Sequence, residues 1–173
     1  PTSDFTGSIG GGEFKPQGFG SFTAEQFALG QADRAFPFNP TASQDANVFQ
    51  VQFSPGVVLQ NGDTVQLTFP NGTDVTNAAL DTLSPMNKDM NMQGGGTITG
   101  TGVAVSASAN TVTVTLGVSG TTGVGDNYTV DLRKITNPSI PKDPTTGGYT
   151  DGIKLSRSGS VLSNRTTMPY FIK

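Results

Sequence analysis

The chain has 173 residues and a net charge of −3, and it is poor in both apolar (34%) and charged (13%) residues, with small polar residues filling the difference. Thr and Val favour strands while Gly, Asn and Pro favour turns, so this composition predicts an all-β domain with many turns. Scattered Lys and Arg give no nucleic-acid footprint, and a chain without Cys or His has no disulfide, thiolate nucleophile, usual zinc site or c-type haem.

The length suits one domain, or one domain with an added arm. Residues 1–38 read as that arm and residues 39–173 as the folded domain. Seven of the eleven phenylalanines fall in the arm: Phe5, Phe14, Phe19, Phe22, Phe27, Phe36 and Phe38. Gly10-Gly11-Gly12 and Gly18-Phe19-Gly20 interrupt them, so neither a good helix nor a long regular strand is expected. Leaving these rings in water forfeits roughly 1.5–3 kcal/mol each, so the arm needs an apolar home. It either wraps its own domain or inserts into another molecule. One short helix is predicted inside it, Ala24 to Leu29, from a Thr23/Gln26 capping box, a Phe22/Phe27 staple and the stop at Gly30.

From Asn47 the period changes to two. Phe49, Val51 and Phe53 alternate with Gln50, Gln52 and Ser54, predicting a half-buried strand. Asn61-Gly62 is a hairpin signal, and Val65, Leu67 and Phe69 mark the next strand, which Pro70 and Asn71-Gly72 end. Ala78, Ala79 and Leu80 read as a helical turn, followed by a polar loop and the Gly94-Gly95-Gly96 joint. Val103 and Val105 then alternate up to a turn at Ala109-Asn110, and Val112, Val114 and Leu116 follow. Tyr128, Val130, Leu132 and Ile135 mark the next strand, then Tyr149, Ile153 and Leu155, then Val161 and Leu162, and last Tyr170 and Ile172. Seven or eight strands at this spacing predict an Ig-like or jelly-roll β-sandwich with an extended N-terminal arm.

The stretch Tyr128-Thr129-Val130, Ile135-Thr136-Asn137-Pro138-Ser139, Tyr149 and Ile153, together with Gly62-Asp63-x-Val65-x-Leu67-x-Phe69-Pro70, resembles Ig-like domains of prokaryotic surface proteins. The likeness runs from about Phe49 to Leu155 and is carried by structural motifs. Pro138 cannot donate to a ladder and holds Asn137 extended, so this pair reads first as a strand terminator. The Phe-rich arm, in which Phe5, Gly7 and Ile9 alternate, is similar to the donor arm of pilin-like extracellular filament subunits. That resemblance implies polymerisation by strand complementation, through a stretch as short as Asp4 to Ile9 or an arm of some thirty residues. Phe5, Ile9, Phe14, Phe19, Phe22 and Phe27 are its candidate polymerisation residues, and the partner it implies is a further copy of the chain.

No catalytic residue is expected. The only glutamates, Glu13 and Glu25, lie in the arm, and Asp63, Asp126, Asp143 and Asp151 read as turn formers. Asp143 with Asp151, or Asp81 with Asp89 and Asn91, could offer calcium oxygens, but none follows a known loop motif, so no metal or cofactor is predicted. Asn71, Asn127 and Asn164 head glycosylation sequons, with Asn71 and Asn164 expected in loops. No run approaches the ~20 apolar residues of a membrane span. A start at Pro1 is what a processed, exported protein would show. The sequence therefore predicts a non-enzymatic extracellular or cell-surface structural subunit that binds its own kind and no nucleic acid. The alternatives are a monomeric adhesion or carbohydrate-binding module, with surface glycans as partners, or an S-layer or matrix lattice component.

Overall fold

A computed structural model describes residues 33–85 and 96–173. Phe5, Ile9, Phe14, Phe19, Phe22, Phe27 and the helix expected at 24–29 lie outside the described residues, as do Asp89 and Asn91. The described chain is all-β, with nine strands: β1 Arg34–Pro37, β2 Phe49–Phe53, β3 Thr64–Thr68, β4 Ala79–Pro85, β5 Thr97–Ser106, β6 Thr111–Ser119, β7 Tyr128–Arg133, β8 Gly152–Arg157 and β9 Ser160–Thr166.

They form two antiparallel sheets, one in the order β1-β2-β7-β4 and the other β5-β6-β3-β8-β9. Removing the β5–β6 hairpin leaves seven strands ordered A-B-E-D and C-F-G, the arrangement of an Ig-type sandwich. The hairpin is an insertion between the fourth and fifth of these strands, and it widens the second sheet by two. It turns on a single 3-10 turn, Ala107–Ala109, closed by Asn110 in the left-handed region at φ 49°.

Period-two alternation builds the core. Phe49, Val51 and Phe53 of β2 and Val130 and Leu132 of β7 face Val65 and Leu67 of β3, Val112, Val114 and Leu116 of β6, and Ile153 and Leu155 of β8. The fully buried Phe49 sits edge-on to Phe69 at 5.1 Å and to Tyr170 at 5.6 Å between centroids, the geometry that aromatic quadrupoles favour. Tyr149 lies in the β7–β8 connection and donates its hydroxyl to the Ile140 carbonyl at 2.7 Å. This backward bond from just before the sixth Ig-type strand is a tyrosine corner.

Three local expectations give way. Ala79 and Leu80, expected with Ala78 in a helical turn, instead begin β4. A bulge between Leu80 and Thr82 aligns Leu80 with Leu132 and Leu83 with Val130, so inward residues fall three apart and imitate a helical spacing. Asn61-Gly62 is no hairpin turn, because β2 and β3 belong to different sheets. Gly62, at φ 86°, turns the crossing chain and donates its N–H to the Leu116 carbonyl at 2.8 Å. Tyr170 and Ile172 make isolated bridges to Tyr149 and Lys142 where a last strand was expected, since Pro169 cannot join a ladder.

Phe49→Ala empties the centre of the core and is expected to cost about 3–5 kcal/mol of stability, read from urea unfolding.

Candidate functional site

Asp33, the first described residue, is buried where the leading segment joins the sandwich. Its carboxylate accepts the Ser54 N–H at 3.1 Å and faces Arg165 of β9 at 3.3 Å. Arg165 also donates to the Ser54 carbonyl. Burial raises the Asp33 pKa, and Arg165 and the Ser54 N–H offset this in part. The root of the leading segment is thus clamped between the two sheets.

Beyond this clamp the C-terminal segment runs alongside β1 in the same direction. Backbone bonds tie the two at each end, Met168 N–H to the Asp33 carbonyl at 2.7 Å and Lys173 N–H to the Pro40 carbonyl at 2.7 Å. Between these ties no backbone bond joins Arg34–Pro37 to Met168–Phe171 among the described residues. The strands part there and leave a groove of about 410 Å³, within the size range of ligand-binding clefts. Ala35, Phe36, Pro37, Met168, Tyr170 and Phe171 are among the residues lining it, and Met168 and Phe171 are exposed. Phe36 and Pro37 read from sequence as part of the arm; here they pair with Gln50 and Phe49 of β2 in the chain's own sheet. The other edge of β1 has no strand beside it among the described residues.

Behind Tyr170, one of the residues lining the groove, lies a buried carboxyl group. Asp151, read from sequence as a turn former, is completely buried. It accepts the Tyr170 hydroxyl at 3.0 Å through Oδ1, while Oδ2 has no partner among the described residues. Burial pushes its pKa up to about 8, the Tyr170 bond countering only in part, so the carboxyl is neutral at pH 7. Burial and Asp151 together raise the Tyr170 phenol as well.

Four more aspartates among the described residues are held by local partners. Asp63 takes a bidentate Arg157, at 2.8 Å on each oxygen, and the Gln60 N–H. Burial would raise its pKa, but these bonds prevail and hold it below the usual carboxylate range. Asp126 accepts the Gly123 N–H and the Tyr128 hydroxyl. Asp143 accepts Thr145 and Thr146 in its own turn, and Asp81 pairs with Arg133 at 2.8 Å. No group of three His, Cys, Asp or Glu side chains gathers among the described residues. Asn71 lies exposed in a turn, and Asn127 is half-buried just ahead of β7. Asn164, expected in a loop, is exposed on β9, an edge strand.

Asn137 does more than end a strand. It is buried, and its amide donates to the Asn39 carbonyl at 2.6 Å and the Thr41 carbonyl at 2.9 Å, fixing the loop after β1. Sequence reasoning missed the groove because its second wall, Met168–Phe171, has no periodicity. The exposed Met168 and Phe171 on either side of Pro169-Tyr170 were the available signal. No helix among the described residues is long and apolar enough to cross a membrane. No protein-family model matches the chain, and no curated protein matches it in sequence.

Asp151 gives a pH prediction. Unfolded, it loses its proton near 3.8, and folded near 8, so between these values the unfolded chain binds fewer protons and stability falls as pH rises. Asp151→Asn is expected to flatten the decline in urea-measured stability from about pH 4 to pH 8, leaving a residual slope from Asp33, which is also raised. An unchanged slope would remove Asp151 as its source.

Proposed function

We propose that the chain is a structural subunit of an extracellular prokaryotic filament or pilus, in which the leading segment of one copy adds to the rim groove of the next. The observation that carries this reading is the groove itself, an apolar cleft beside a strand edge with no strand partner among the described residues. An added strand would satisfy the backbone groups of β1, about 13 Å long, while its side chains fill the cleft. The leading segment supplies suitable material. Its 32 residues ahead of Asp33 carry five phenylalanines. Fully extended they could reach roughly 100 Å, ample for a neighbouring subunit.

The driving force would be apolar burial plus ladder bonding between chains, with no reaction catalysed. A contact between a protruding segment and a groove elsewhere on the surface is heterologous. Such contacts repeat without closing, so fibres result. The resemblances to Ig-like surface domains and to donor arms support the extracellular, prokaryotic setting.

Deleting residues 1–32 leaves β1 and the Asp33 clamp in place and should abolish filaments in negative-stain micrographs. Met168→Lys with Phe171→Lys puts charge into the groove at exposed positions and should abolish them too. Mixed together, the two proteins each retain one intact half of the contact and should form a 1:1 dimer that grows no further. Filaments from the deleted protein would end the proposal, and glycan-array binding by a protein that stays monomeric would favour an adhesion module.

A further inference from the structure

Among the described residues the sandwich has four edge strands, and two of them are guarded. Natural sheets blunt their edges with charge, proline and bulges, because a row of unpaired N–H and C=O groups invites another strand. β4 carries Asp81 and a bulge, and β9 carries Arg165 and a bulge, while β1 is only four residues long and borders the groove. The remaining edge, β5, is the longest strand of the fold at ten residues, and it contains no charged residue and no proline. Its bulge lies between Gly100 and Gly102, which leaves Val103 to Ser106 regular and unguarded.

These residues also lack cover among the described residues. Val103 and Val105 align with Val114 and Val112 of β6, so all four point towards the sandwich interior. Val112 and Val114 are fully buried, whereas Val103 is 39% and Val105 37% exposed. The narrower sheet does not reach them. The sheets touch further back, where Gly100 leaves room for Leu80; a Cβ at Gly100 would run into Leu80 Cδ2. Past that point the inward face of β5 overhangs.

We infer that the β5 edge pairs antiparallel with β5 of a second copy about a two-fold axis at Ala104, joining two five-stranded sheets into one of ten. A second copy fits because the strand complements itself. Centred on Ala104, the pairing sets Val103 opposite the partner's Val105 and Val105 opposite the partner's Val103, on the inward face that lacks cover. On the outward face Gly102 meets Ser106. No charge opposes its like anywhere along Thr97 to Ser106, so a chain of net negative charge can meet itself here without repulsion. The contact is isologous and closes on itself, unlike the groove contact proposed above, and it does not depend on that reading.

The absence of cysteine gives a clean test on the full chain. In Ala104→Cys the two thiols would lie across the axis. Cα atoms directly opposite in an antiparallel pair are about 4.5–5.5 Å apart, within disulfide range. Under mild oxidation this variant is expected to form a cross-linked dimer at least about tenfold faster than Val161→Cys, an exposed control on β9, because pairing raises the local thiol concentration. Adding Val103→Lys, an inward charge at a site exposed enough to leave the fold intact by circular dichroism, should return cross-linking to the control rate. Ala104→Cys reacting at the control rate, or unaffected by Val103→Lys, would overturn the pairing. Preferential cross-linking of Ala104→Cys to Gly7→Cys would overturn it as well, by assigning the edge to the leading segment. Because the readout is a denaturing gel, it holds whether or not filaments form.

Discussion

Everything distinctive about this molecule follows from how a two-layer sandwich must treat its rims. The faces of the sheets seal each other by alternation, but the sides do not. Along each side the interior meets water, and the outermost strand carries backbone groups with no partner. Here the two layers are also unequal, four strands against five, so they cannot end flush on both sides. One rim is bridged by polar ties and leaves a gap, and the other overhangs.

At the first rim, β9 explains the gap. Its inward positions are Ser163 and Arg165, opposite Leu155 and Ile153, where an apolar pair would have sealed the layer. Arg165 instead meets Asp33 and the Ser54 carbonyl, closing the rim with charge near the root of the leading segment. Further along, the Tyr170 N–H and carbonyl are both bonded to Tyr149 rather than to β1, and the groove opens. Behind its Tyr170 wall the buried Asp151 carboxyl accepts the tyrosine hydroxyl. Asn137 holds the loop after β1. At the second rim the inserted β5–β6 hairpin carries valines past the reach of the opposite sheet.

Much of the sandwich was legible in the sequence. Phe49-x-Val51-x-Phe53, Val65-x-Leu67 and Val112-x-Val114-x-Leu116 have one buried and one solvated face, and period two survives in each. The signal failed where ladders are interrupted. The bulge in β4 interrupts the alternation beside Leu80, where Ala78, Ala79 and Leu80 read as a helical turn. Asn61-Gly62 was misread because a positive-φ glycine serves a crossing between sheets as well as a hairpin, and only tertiary pairing distinguishes them. The groove was harder still, since it depends on two segments about 130 residues apart in sequence (Arg34–Pro37 and Met168–Phe171) that part between hydrogen-bonded ends. Asp151 looked like any Asp-Gly turn; its partners Thr167 and Tyr170 arrive 16 and 19 residues further along the chain.

The two rims differ in the symmetry they impose, and this sets what the molecule could build. A groove filled by a segment from elsewhere on the surface repeats with direction and never closes. An edge that pairs with itself closes after two copies and has no direction. The groove alone would give a polar fibre, and the β5 edge alone a dimer. Acting together, they would join fibres running in opposite directions, because the two-fold axis that reverses β5 reverses the whole subunit with it. The pairing would also pass through an edge without charge, whose attraction does not weaken with ionic strength as a charged contact would. Salt would then loosen the Asp33–Arg165 closure of the first rim more than the contact at the second.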